Sequence, residues 1–176
     1  MTSPYPSELS VTDNASALLR HFADLRDGTH GEAHSRADKE ALFATTATLM
    51  DSPCRSALTE LNAALLLNTG TIHSTGVART QDGGLGCSWT LSWPRQVAAE
   101  IPPITLMAYF GRNFHHPHLR GGTVREWPLN VFTPLQAAGE LPTLRAIASA
   151  ELHNLVFLAD FRIVPATGPA DAVSPW

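Results

Sequence analysis

Lysine is almost missing from this chain: Lys39 stands alone among twelve basic residues, and the other eleven are arginines spread without a run. A nucleic-acid backbone as main partner needs clustered Lys and Arg, so that class is excluded. Charge of either sign is sparse, at 16% of residues with a net charge of −4. There are only two cysteines, Cys54 and Cys87, at no metal or redox spacing, and a reducing cytoplasm is the expected setting. Apolar runs are too short to span a membrane, and no basic segment followed by an apolar stretch opens the chain, so neither a membrane partner nor a secretory signal is expected. Gly-x-Gly-x-x-Gly, a phosphate loop and a Gly-x-Ser-x-Gly elbow are all lacking, which leaves nucleotide cofactors and serine hydrolysis unsupported. Arginine in place of lysine, with abundant alanine, reads as a GC-rich bacterial genome.

What is present is a chain of 176 residues, 44% of them hydrophobic, enough for one core. Sparse surface charge favours a homo-oligomer. Residues 1–9 read as an arm, 10–164 as a single α+β domain, and 165–176 as a Pro- and Ala-rich mobile tail. Ser10 or Thr12 caps a first helix, whose Ala15, Leu18, Leu19, Phe22 and Leu25 form an apolar stripe for the core. Ser35 and Asp38 open a second helix through about Met50, and Ser52-Pro53 a third with Leu58, Leu61 and Leu65 inward. From Thr71 the period changes to two. Cys87, Trp89, Leu91 and Trp93 alternate with small polar residues, as in a half-buried strand.

The stretch Gln81–Gly84 reads as a hairpin turn that sets Gly76 opposite Trp89, Ser74 opposite Leu91 and His73 opposite Ser92. Ile104–Phe110 is a third strand, and Thr123–Phe132 a further one that Pro128 confines to an edge. Residues 142–153 suit a helix and Leu155–Val164 a last strand. The fold class is thus α+β: about three N-terminal helices followed by an antiparallel sheet, curved or closed into a barrel.

The chemistry concentrates at Asn113-Phe114-His115-His116-Pro117-His118, with three of the eight histidines inside four residues. In extended backbone His116 and His118 share a face and His115 takes the other. Two imidazoles so placed suit a divalent transition metal, zinc or iron, with His153 or His73 completing the ligand set. They also suit metal-free proton transfer, since imidazole titrates near neutral pH. The order Gly111, His116, His118, Glu126, His153 resembles scattered positions of the cupin pattern, with the glutamate too far along the chain. A tight Gly121-Gly122 turn pairs His118 with Arg125 and His116 with Trp127, which turns Glu126 away.

Arg112, Arg120 and Arg125 bracket the segment and suit an anionic ligand. Their charge is also expected to keep the imidazoles neutral. The expected function is a small cytoplasmic metabolic enzyme acting on an organic acid, with His116, His118 and His153 catalytic and Arg120, Arg125, Asn113 and Trp127 contacting substrate. Two alternatives stay open: a metal-free isomerase, cyclase or dehydratase using a histidine as acid and base, and a non-catalytic ligand-binding or assembly module.

Overall fold

The structure, a computed structural model, describes residues 7–168, with side chains from residue 14 onward. Two long helices come first, α1 (Ser7–Asp27) and α2 (Arg36–Leu65). A six-stranded antiparallel sheet follows, built from β1 (Thr71–Ser74), β2 (Ala78–Arg79), β3 (Leu85–Ser92), β4 (Ile104–Phe110), β5 (His118–Gly121) and β6 (Trp127–Pro128). Its order is β1-β3-β4-β5-β6, with β2 also pairing β3, and it does not close into a barrel. A short helix α3 (Pro94–Ala98) links β3 to β4. Helices α4 (Pro134–Gly139) and α5 (Leu141–Leu158) complete the α+β domain. No helix among the described residues is long and apolar enough to cross a membrane.

The sheet is two-faced because its strands alternate. Cys87, Trp89 and Leu91 of β3 and Ile104, Leu106, Ala108 and Phe110 of β4 are buried beneath α2 and α5, together with Phe43, Met50, Leu58, Ile147 and Leu152. Thr105, Met107 and Tyr109 fall between them and are only half-buried on the opposite face. That face carries the functional candidates of β5.

Several expected boundaries move. Ser35 does cap α2, accepting the Asp38 N–H at 3.1 Å, but the helix runs unbroken through Pro53. A proline inside a helix costs one backbone bond. Burial of Met50, Pro53, Cys54, Ala57 and Leu58 along one stripe offsets that loss. Leu155–Leu158 continues α5 and is followed by 3-10 turns at Phe161–Ile163 and Pro165–Thr167, so the last expected strand is absent. A short apolar run fits either period, and the buried Leu152 and Leu155 show that the helical one won.

The first hairpin pairs Ser74 with Trp89 and His73 with Thr90, two residues from the expected register. Gly76, at φ +67°, lies between β1 and β2 and takes up the extra residue. An even slip leaves His73 on the face of Thr90 and Ser92, as expected.

Helix α1 departs most from its pattern. Leu19, Phe22 and Leu25 are exposed, at 68%, 54% and 53%, while Ala17, His21 and Asp24 are buried. Its polar edge, against β6 and α4, faces the domain. The apolar stripe read as core packing therefore points outward.

Candidate functional site

The segment before β5 is held open by α2. The Arg36 Nη1 group donates to the carbonyls of Gly111 (3.0 Å), Arg112 (3.3 Å) and Phe114 (3.0 Å), and Nη2 to that of Phe110 (3.3 Å). Its guanidinium lies 3.7 Å from the centre of the Phe110 ring. One turn on, the buried Lys39 donates from Nζ to Gly28 O (3.3 Å) and His115 O (3.4 Å). The one lysine of the chain thus ties the end of α1 to the histidine segment. Guanidinium and ammonium groups only donate, so exposed carbonyls at a strand end are natural partners.

Four imidazoles gather at this point. His116 is buried, and its Nε2–H donates to Thr29 O at 2.7 Å. The His21 ring centre lies 5.2 Å from that of His116 and 6.2 Å from that of His118. His30 is 0% exposed, 6.0 Å from His116 and 4.8 Å from Phe132 between ring centres. Phe114 stands edge-on to His118 at 5.5 Å.

His21 is oriented by two further groups. Asp24 accepts from Thr29 Oγ1 (2.9 Å), Gly31 N (3.0 Å) and Asn130 Nδ2 (2.5 Å). A carboxylate only accepts, so the Asn130 amide must turn its NH2 toward Asp24 and its Oδ1 toward His21. That oxygen, 2.9 Å from His21 Nδ1, requires the proton on Nδ1. Nε2 is left as the nitrogen free to take or give a proton. Arg20 fixes the Asn130 backbone from the same helix, donating to its carbonyl at 3.2 and 3.3 Å.

Burial favours the neutral form of His30, His116 and His118. His30 is pushed down to about 4, chiefly by desolvation, with nearby Asp24 opposing the shift and His116, Lys39 and His21 adding to it. His116 is also lowered by burial, against the Thr29 hydrogen bond. His118 is lowered by burial too, with Glu126 opposing and His21 assisting. The expected neutrality therefore has a different cause. Desolvation is its largest cause, with Lys39 adding to it at His30 and His116, in place of Arg112, Arg120 and Arg125.

His116 and His118 are brought together, both beside His21. The other two candidate ligands stand apart. His73 lies exposed on β1, separated from β5 by β3 and β4. His153 is exposed on α5, against Phe157 and Asn154. Among the described residues no group of three or more His, Cys, Asp or Glu side chains is placed to hold a metal ion.

The β5–β6 register is also corrected. His118 pairs with Pro128 and Leu119 with Trp127, in place of His118 with Arg125 and His116 with Trp127. The connection is longer than a Gly-Gly turn because the buried Glu151 of α5 holds it. Its Oε1 accepts from Thr123 N (2.6 Å), Thr123 Oγ1 (2.7 Å) and Val124 N (2.9 Å). Arg125 is left exposed, and Glu126 comes near enough to influence His118. Asn113 is exposed on the loop. Trp127 is half-buried, with an indole N–H that has no hydrogen-bond partner. Arg120 keeps to the outward face of β5 beside Tyr109, its guanidinium 5.0 Å from that ring's centre.

His21, His30, Asp24 and Asn130 carry the centre of the site, and none of them is among the candidates that the sequence singles out. A signal existed. Ala17, His21 and Asp24 recur at four and three residues, a polar helical edge beside the apolar one. Asn130 lies 109 residues from His21, and no local pattern links them.

Comparison with protein-family models, with curated proteins and with solved structures finds no match.

Proposed function

We propose that this chain is a small-molecule enzyme that moves a proton with imidazole groups on an organic anion. His21 and His118 are the acid–base pair, and Arg120 orients the anionic group. The chain Asp24–Asn130–His21 carries this reading: it dedicates Nδ1 to orientation and leaves Nε2 for proton exchange, beside the His118 imidazole. A base fixed in one tautomer by a carboxylate-anchored partner is the arrangement that acid–base catalysis uses. Among the described residues Arg120 pairs with no carboxylate, so its fork is available to a ligand. Isomerisation or dehydration next to a carboxylate fits such a pair. A zinc- or iron-dependent version draws no support from the donor geometry.

Incubation of the protein with a panel of carbonyl and hydroxy carboxylic acids in D2O tests the reading. Proton NMR is expected to show deuterium entering one substrate at a carbon next to its carbonyl or carboxyl group. His21→Gln and His118→Gln should each abolish the exchange while keeping the wild-type urea midpoint. Exchange that survives both substitutions, or an absence of exchange across the panel, defeats the proposal.

A further inference from the structure

We infer that the outward face of β4 and β5 is a binding site for a planar, unsaturated or aromatic monocarboxylate. The inference rests on the acid–base reading for its chemistry and adds the substrate class.

Antiparallel pairing builds the site from four residues on one face. His118 lies opposite Tyr109, and Arg120 opposite Met107. Directly opposed residues point to the same side of a sheet, and neighbours two apart on a strand lie about 7 Å from each other. The four side chains therefore form a tile roughly one aromatic ring across. All four are half-buried, and the helices α2 and α5 lie on the other side of the sheet. Phe114 closes one end. Its ring meets Tyr109 edge-on at 5.6 Å and His118 at 5.5 Å, and it remains partly exposed.

The chemistry of the tile selects its ligand. Arg120 spends Nε on the weak acceptor Met107 Sδ, at 3.4 Å, and pairs with no carboxylate among the described residues. A guanidinium in this state recognises a carboxylate through two parallel hydrogen bonds. Tyr109 and Phe114 offer ring surface and Met107 a polarizable thioether, which favour a flat π-system over a saturated one. At the far end His118 has a buried Nδ1 with no hydrogen-bond partner. A ligand anchored at Arg120 and lying over Tyr109 brings its unsaturated carbon chain to that imidazole.

Titration calorimetry with benzoate, cyclohexanecarboxylate and benzamide tests the inference on the full chain. Benzoate is expected to bind near about 1 mM, a reasonable affinity for so small a ligand. Loss of the ring's planarity or of its charge should each weaken binding about tenfold. Arg120→Gln and Phe114→Leu should weaken benzoate by about tenfold and about threefold, whereas Arg55→Gln on the far helix should not. Amide NMR shifts on adding benzoate should centre on Tyr109, His118 and Arg120. Equal affinity for benzoate and cyclohexanecarboxylate, indifference to Arg120→Gln, or shifts centred elsewhere overturns the inference. Deuterium exchange on a saturated acid, with no benzoate binding, would refute the substrate class and leave the acid–base reading intact.

Discussion

His21 and Asn130, 109 residues apart in the chain, meet through a 2.9 Å hydrogen bond that fixes which imidazole nitrogen is free. The bond closes a path from the Asp24 carboxylate to the base through one amide. Removing the amide strands His21 Nδ1, whereas Asp24 keeps Thr29 Oγ1 and Gly31 N as donors. Asn130→Ala is expected to destabilise the fold by about 1–3 kcal/mol, the cost of one unsatisfied buried group. Urea denaturation measures the loss, and a change below about 0.5 kcal/mol would show that water replaces the amide.

Stability should fall as the solution is made acidic, beginning near the ordinary histidine value. His30, His116 and His118 are all lowered in the folded state, His30 to about 4. The unfolded chain then binds more protons than the folded one once pH drops below about 6.5, so acid favours unfolding. The loss accumulates down to about pH 4 and for His30 alone is on the order of 2–3 kcal/mol. His30→Phe should flatten much of this slope between those limits. Urea midpoints across the range check the direction, and a stability that rises toward acid would contradict it.

Arg36 should control the order of the histidine segment more than global stability. Its side chain is partly exposed, which discounts the electrostatic share, yet it organises four carbonyls of residues 110–114. Arg36→Lys keeps the charge and loses the fork. Hydrogen exchange of residues 111–116 should speed up about tenfold, with α5 unchanged. Equal protection in variant and wild type would show that Lys39 alone suffices.

Glu151 makes a sharper case because it is buried and accepts three hydrogen bonds at the β5–β6 turn. Glu151→Ala strands two backbone N–H groups and should cost about 3 kcal/mol or more. Glu151→Gln keeps one acceptor and should cost less. Thermal melting of the two variants orders them, and an alanine variant as stable as the glutamine one would refute the role.

The cysteines offer a check on packing. Cys54 and Cys87 are free and buried, and desolvation pushes both thiols up. Reaction with an aromatic disulfide reagent should therefore be slow in the native protein and fast in urea. A rapid native reaction would show that the core opens.

Alternation along β3 and β4 determines the two-faced sheet, because side chains two apart must share a face whatever packs upon them. The Ser35 cap and the crowding of histidines before β5 are local in the same sense, and the sequence alone marks both. The inward face of α1 is a different matter. The helix offers an apolar edge and a polar edge, and only the arrival of Asn130 and His116 from distant segments decides that His21 and Asp24 turn inward while Phe22 stays exposed. The β5–β6 register likewise depends on Glu151 reaching across from α5, which no turn rule contains. Local chemistry wrote the histidine segment and the sheet alternation. Long-range hydrogen bonding chose its partners, because buried donors and acceptors must be matched in space and not along the chain.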